Sequence, residues 1–588
     1  MREARAVFIV LLLAGPAPAI GQQLPDTLPE DMDAEALQEL ADARYPSATA
    51  CASCHPKQFA EWSISSHAYA SMSPMFNKFE QAINNLAQGT PAYFCLRCHA
   101  SVGTALGERR DFALWQRAES SREGITCVSC HRVAEAYGKV NGERRITPGD
   151  MGEVVHGPFD RSGYIAMLSA PRVNILVRGA ADRPGALRVH PEPIQSEVIT
   201  QSEFCVACHQ VQVHPGIKLE TVWEEYRNSP AAKEGITCQD CHMGTVPGQP
   251  SGYSSGAAAV VPRVGGESWS YDQPRRLADH TFVGPGYPIS HPGLFPMSAE
   301  ESPFTIQEWL TFDYRSGWGS AEFESRHAGD PDADGFPPEW QDRARREEAW
   351  AIVRDNLGRW DDRKKLRLQL MEGSSRLDGP FFEGRRAVGQ PLSFKYKITN
   401  LNKGHNMPSG SLGAQPQLWL NVALIDPDGK RIWESGHLDS HGDLADIHSR
   451  DVAAGAVEHD AELVNLEAMF LTTNIKGTDR EMYLPVNFDA DQIPFIRPGS
   501  VPVSVLNHPP GARMEKRSIP PLGSRWANYK VPARLIGKPG TYRLAVRLRS
   551  RSEPIYFMDF VGATNDMKRA MNEGITDVHP YAVEFDVR

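Results

Sequence analysis

The chain has 588 residues, a formal net charge of −11, 41% apolar residues and 23% charged residues. That length exceeds one ordinary domain, and the composition is that of a folded chain, so two or more domains are expected and disorder is not. A negative balance with no long basic run argues against a nucleic-acid partner.

Arg2 and Arg5 precede an apolar run from Ala6 to Ala14, and small residues follow at Ala17-Pro18-Ala19 and Ala19-Ile20-Gly21. Residues 1–21 therefore read as a cleaved signal peptide, the apolar run being too short to span a bilayer. An uncleaved anchor is the alternative reading. No Cys follows the run directly, so a lipid anchor is not expected there. No later stretch reads as a transmembrane helix, and the mature protein is expected to be exported, periplasmic or otherwise, and soluble.

A phrase then occurs twice. FCLRCH at 94–99 is followed by EGITCVSCH at 123–131, and FCVACH at 204–209 by EGITCQDCH at 234–242. With CASCH at 51–55 in front, these segments hold all ten cysteines. The pairs are Cys51/Cys54, Cys95/Cys98, Cys127/Cys130, Cys205/Cys208 and Cys238/Cys241, each followed by a histidine: His55, His99, His131, His209 and His242. In an exported chain an even cysteine count would ordinarily suggest disulfides. A histidine after every CxxC points elsewhere. Two thiols that far apart can add across the vinyl groups of a haem, which leaves the next residue under the iron as proximal ligand. Zinc ribbons have no need of a histidine after every pair, and a thioredoxin-type site needs only one pair. Five covalent haem c (heme c) groups are thus expected. Five macrocycles within residues 51–242 leave too little polypeptide to wrap each separately, so they must pack against one another.

Of nineteen histidines, fourteen remain as sources of a second axial ligand. His156 in VVHGPFD and His280 in RLADHTFVGPG each follow one copy of the repeat near a Gly-Pro turn. His67 lies in FAEWSISSHAYAS, a helix-like stretch that buries Phe59 and Trp62. His214 in CHQVQVHPG is too close to His209 to cross over the same haem easily, and could serve a neighbour.

Beyond residue 243, GTVPGQPSGYSSG reads as loop. PEWQDRARREEAWAIV opens a helix over 338–360 that buries Trp340, Val353 and Leu357. DPDADG at 330–335 resembles the start of a calcium loop, but Gln341 stands where the closing Glu belongs, so an acidic turn is expected. From about 365 the apolar period becomes two, in KLRLQL, LSFKYKI and TYRLAVRL, while LWLNVALIDPDGKRIWESG reads as strand, Asp-Gly turn and strand. The expected fold class is α+β and multidomain. A mainly α and irregular multihaem domain over 45–300 leads through a helical connector over 301–364 to an antiparallel β-sandwich over 365–588. In GHNMPSG, 404–410, a tight loop presents His405, which either is an exposed loop residue or reaches across the boundary to a haem iron.

Together, CASCH…W…S.HA, FCVACH…EGITCQDCHM, DHTFVG and GHNMPSG resemble the cytochrome c-554-like multihaem cytochromes, over roughly residues 45–290 and the later loop. The resemblance implies haems with two histidine ligands in stacked pairs, periplasmic electron transfer and, in larger members, an appended Ig-like β-domain. It also adds weight to His67, His280 and His405 as ligands. Related multihaem enzymes oxidise hydroxylamine or reduce nitrite. Five-haem nitrite reductases typically mark the catalytic haem with CxxCK, and all five motifs here end in His.

The favoured reading is an exported pentahaem carrier between redox protein partners. The alternative is an oxidoreductase with one open, five-coordinate haem acting on a small inorganic nitrogen or sulfur compound. A subunit of a larger redox complex is a third. The acidic balance favours a basic docking face on the partner.

Overall fold

In a computed structural model of the chain, the described residues are 28, 32–86, 89, 92–135, 140–177, 186–213, 217–327, 335–410, 416–467, 469–472, 482–484, 512–515 and 517–588. The leader expected at 1–21, His214 and most of the DPDADG turn lie outside them.

The N-terminal region is built from short helices and two-stranded ladders. Four motifs each lie on one short helix: Leu96–His99, Cys127–His131, Val206–His209 and Cys238–His242. The first straddles the end of Ala48–Ala52 and the turn after it. The repeated EGIT explains two of these starts. Its glycine closes the preceding helix in the left-handed region, with φ +69° at Gly124 and +72° at Gly235, where a side chain would be strained. Its threonine then stands at the N-cap of the motif helix. At Thr237 the hydroxyl accepts from Asp240 N at 3.2 Å, while the Asp240 carboxylate accepts from Thr237 N at 2.9 Å, a reciprocal cap.

Helices Pro56–Ser63 and Ser66–Tyr69 carry the FAEWSISSHAYAS segment and bury Phe59 and Trp62, as expected. The Trp62 indole donates to Ile125 O at 2.8 Å, and Ile125 N donates to His67 O at 3.0 Å. A Cβ on Gly124 would lie 2.4 Å from His67 O. The EGIT turn of the first copy is therefore pressed against the backbone of His67.

A 32-residue helix, Arg343–Ser374, capped by Asp342, runs on from this region. At 1.5 Å per residue it is about 48 Å long. Trp340 and Val353 are buried against Trp309 and Phe312 at one end. KLRLQL was expected as a strand and is instead the last part of this helix; the first strand starts at Ser375. The buried positions there are Arg363, Arg367, Leu370 and Met371, a helical stripe in which arginine stems stand where the apolar alternation suggested leucines. Arg363 donates to Ile64 O and Ser66 Oγ, while Arg367 donates to Gly574 O and Thr576 Oγ1. The helix thus ties the motif region to the sheets.

Among the described residues, the C-terminal region holds, beside a small three-stranded sheet of Met482–Leu484, Met469–Thr472 and Ala512–Glu515, two main antiparallel sheets. One orders strands Arg431–Ser435, Gln417–Ile425, Gly540–Arg551 and Thr576–Val587; the other orders Ser375–Glu383, Leu392–Asn400 and Ser524–Val531. Both contribute to one core, with Leu392, Phe394, Tyr396 and Ile398 meeting Leu418, Leu420, Val422, Leu544 and Val546. Each such aliphatic side chain contributes roughly 1.5–3 kcal/mol by leaving water. LSFKYKI, TYRLAVRL and the LWLNVALI…RIWES hairpin are strands as expected, and Asp426 Oδ1 accepts from Asp428 N and Lys430 N in the connecting turn.

The loop 404–410 leaves this region toward the motifs. Glu225 accepts from Asn406 N at 3.1 Å and Ser409 Oγ at 2.7 Å, and Ala231 N donates to Lys403 O at 3.1 Å. His405 is thereby carried to the fifth motif.

Candidate haem-binding site

The five motifs converge. The thiol of Cys127 lies beside that of Cys51, that of Cys98 beside that of Cys208, and that of Cys205 beside that of Cys238. First and third, second and fourth, and fourth and fifth motifs are therefore in contact. All ten thiols are free and partly exposed.

Three motif histidines are held in one tautomer. Nδ1 of His55 donates to Ala258 O at 2.8 Å, that of His131 to His156 O at 2.8 Å, and that of His99 to Ala70 O at 3.3 Å. A ring nitrogen facing a carbonyl must carry the proton, which leaves Nε2 as the lone-pair donor for a metal. Burial pushes His67 down to about 3, and His99, His131 and His242 down to about 4. These rings are neutral near pH 7, the form that binds a metal.

Three motif histidines face a second imidazole from a distant segment. Ring centres are 6.4 Å apart for His209 and His67, 6.5 Å for His131 and His280, and 6.2 Å for His242 and His405. An imidazole nitrogen binds a metal at about 2.0–2.1 Å and its ring centre lies roughly 1.1 Å behind, so two rings sharing one ion stand about 6.2–6.4 Å apart. The observed separations fit that value. His280 Nδ1 donates to Ala278 O at 3.0 Å, and its backbone N–H donates to Glu61 at 3.2 Å. His405 Nδ1 donates to Asn406 O at 2.9 Å; Nε2 meets the Asn402 amide at 3.1 Å, so ligation there requires that amide to turn.

His156 approaches the third motif by its carbonyl oxygen, as the acceptor from His131, while its ring faces no second imidazole among the described residues. His190 escapes the sequence reading. Its Nδ1 is buried without a hydrogen-bond partner, burial pushes its ring down to about 4, the charges of His55 and His131 add to that, and the Tyr164 ring lies 5.8 Å away. Val189 beside it packs with Val261, whose neighbour Val260 donates to Cys54 O at 2.8 Å, so His190 is held next to the first motif. RVHPEP offers no spacing that would have marked it. His99 has a different neighbour: the Phe76 ring stacks on it at 3.9 Å and 4°.

Paired thiols, tautomer-locked neutral imidazoles and facing imidazole pairs fit a haem c. Among the described residues, no group of three or more His, Cys, Asp or Glu is arranged to hold a bare metal ion, as a zinc ribbon would be.

Thiol pairs and imidazoles so arranged are the haem-binding features of c-type cytochromes. Residues 50–132, which span the first three motifs, match the model of the family described as "Cytochrome c554 and c-prime". The match supports a cytochrome c family, with covalently bound haem c and an electron-transfer role. No curated protein matches the chain. One solved structure, the Pseudomonas fluorescens alkylpurine DNA glycosylase AlkC bound to DNA containing an abasic site analog, aligns at 9% identity with a TM-score of 0.12. The alignment covers 45% of this chain and 44% of that one, and a likeness so slight carries no argument. Among the described residues, no helix is long and apolar enough to cross a membrane.

Proposed function

We propose that the protein is an exported pentahaem c-type cytochrome that relays electrons between redox protein partners. Cys51/Cys54/His55, Cys95/Cys98/His99, Cys127/Cys130/His131, Cys205/Cys208/His209 and Cys238/Cys241/His242 each hold one haem c in this reading. His67, His280 and His405 complete the fourth, third and fifth sites, and His190 the first. The N-terminal signal peptide, a haem domain over 45–300, the connector and an Ig-like β-sandwich form its parts, with the connector helix carried on to Ser374. Haem c supplies a reversible one-electron couple. The chain's own work is to hold the groups in contact, exclude water, and fix imidazoles such as those of His55, His99 and His131 through Nδ1–H.

One observation carries the reading: three motif histidines each face a second imidazole at 6.2–6.5 Å. Mass spectrometry and a pyridine haemochrome assay of the exported protein test it, with five haems per chain expected. Two or fewer would sink it.

The alternative reading is an oxidoreductase with one open, five-coordinate haem, at the second motif, acting on a small inorganic nitrogen or sulfur compound. No imidazole among the described residues faces His99, and the Phe76 ring lies flat on the face of His99 and not along its Nε2, where a metal would bind. Binding of CO or NO by one haem per chain is its test; protein in which no haem binds either leaves only the carrier.

A further inference from the structure

Arg144 lies where the third and fourth motifs meet. Its Nη1 donates to Ser129 O at 3.0 Å and is 3.9 Å from Cys130 Sγ; its Nη2 donates to Phe204 O at 2.8 Å. The guanidinium carbon sits 4.7 Å from the centre of the Phe204 ring. These contacts fix a permanent charge beside Cys130, Cys205 and Cys208.

Other motifs have their cations answered. Beside Cys95, Arg110 pairs with Glu80 at 2.7 Å. Cys51 lies near both Arg132 and Glu123. Beside Cys241, Asp240 has Arg276 at 3.8 Å. Among the described residues Arg144 has no carboxylate partner; its neighbours are carbonyls, a ring and thiols. The thioether edge of a haem c is the edge away from its propionates, so the cofactor's own carboxylates would not neutralise this charge from that side.

We propose that Arg144 makes the haem of the fourth motif the highest-potential site of the array, where an electron entering from a partner protein settles. The inference rests on the haem reading above. A fixed positive charge stabilises whichever site has gained an electron, and within roughly 10 Å of it, in a protein of effective permittivity about 20, this amounts to about tenfold in the equilibrium. The fourth motif is also the hub, touching the second through Cys98, the fifth through Cys238 and the third through Arg144. The step moves one electron from a reduced redox protein to one oxidised haem, with no bond made or broken. Arg144 touches no reacting atom; it is a positioning charge.

Redox titration of the holoprotein, resolved haem by haem by NMR, tests this on Arg144→Gln and Arg144→Lys. In R144Q the fourth-motif midpoint should fall by about tenfold in electron-sharing equilibrium, about 59 mV for one electron. The third- and second-motif midpoints should fall less, those of the first and fifth stay, and R144K should recover most of the change. Unmoved midpoints in R144Q at full haem content, or an equal fall in R144K, overturn the proposal. Should R144Q not assemble, the unmodified protein decides: first reduction at any haem other than that of the fourth motif contradicts it. A low haem count in the unmodified protein would instead strike the reading beneath.

Discussion

The two copies of the doubled phrase share their residues and differ in what surrounds them. In both, a left-handed glycine ends one short helix and a threonine opens the next. Yet Gly124 is packed against His67 O, while Gly235 has open space where a Cβ would go. His209 of the second copy faces His67, whereas His99 of the first is covered by Phe76. His131 and His242 face His280 and His405, which come from different parts of the chain. In the haem reading, local sequence builds the half of each site that would hold the thioethers and the proximal nitrogen. The other half arrives by tertiary contact, and near-identical motifs can receive different neighbours.

Removing the thiols breaks the comparison most severely. Cys205→Ala with Cys208→Ala should leave one haem fewer by mass and lower the unfolding midpoint more than Cys95→Ala with Cys98→Ala, because the fourth motif touches three others. Equal losses of stability would count against a hub. Next come the axial partners. His405→Ala and His190→Ala should each turn one low-spin haem high-spin by EPR, and His156→Ala should turn none; a high-spin signal from H156A would restore that ring as a ligand and displace His190.

Smaller effects probe the two glycines. Alanine in the left-handed region costs about 1–2 kcal/mol, so Gly235→Ala should lose about that much on denaturant unfolding. Gly124→Ala should lose more, since its Cβ would also meet His67 O at 2.4 Å, and should perturb the His209 haem spectrum as well. Identical losses would mean that the close approach is unimportant. The smallest effect is at the loop that delivers His405. Lys403 and Glu234 form an exposed pair at 2.7 Å, so Lys403→Ala should cost less than about 0.5 kcal/mol and leave the spin state unchanged.

The motifs were legible because thioether chemistry fixes their spacing, and the strands because alternation of apolar residues survives in LSFKYKI and TYRLAVRL. KLRLQL misled for a physical reason: its period of two is coincidental, and the buried stripe of the helix runs through Arg363 and Arg367, whose stems are apolar and whose heads find carbonyls. His67, His280 and His405 could be named from context, since each sits in a segment with unusual neighbours. His190 could not, because its place beside the first motif depends on Val189 meeting Val261, a contact no local pattern records. Arg144 was equally silent, one arginine in GERRI until the fold set it between two motifs.

Low-temperature EPR of the fully oxidised holoprotein tests the pairing of distant imidazoles most directly. The account predicts low-spin signals from the haems of the first, third, fourth and fifth motifs, with any high-spin signal confined to the second; a high-spin signal there that alone changes on adding NO would favour the open-haem reading over the pure carrier. A predominantly high-spin spectrum would contradict it, since the facing imidazoles would then hold no iron between them.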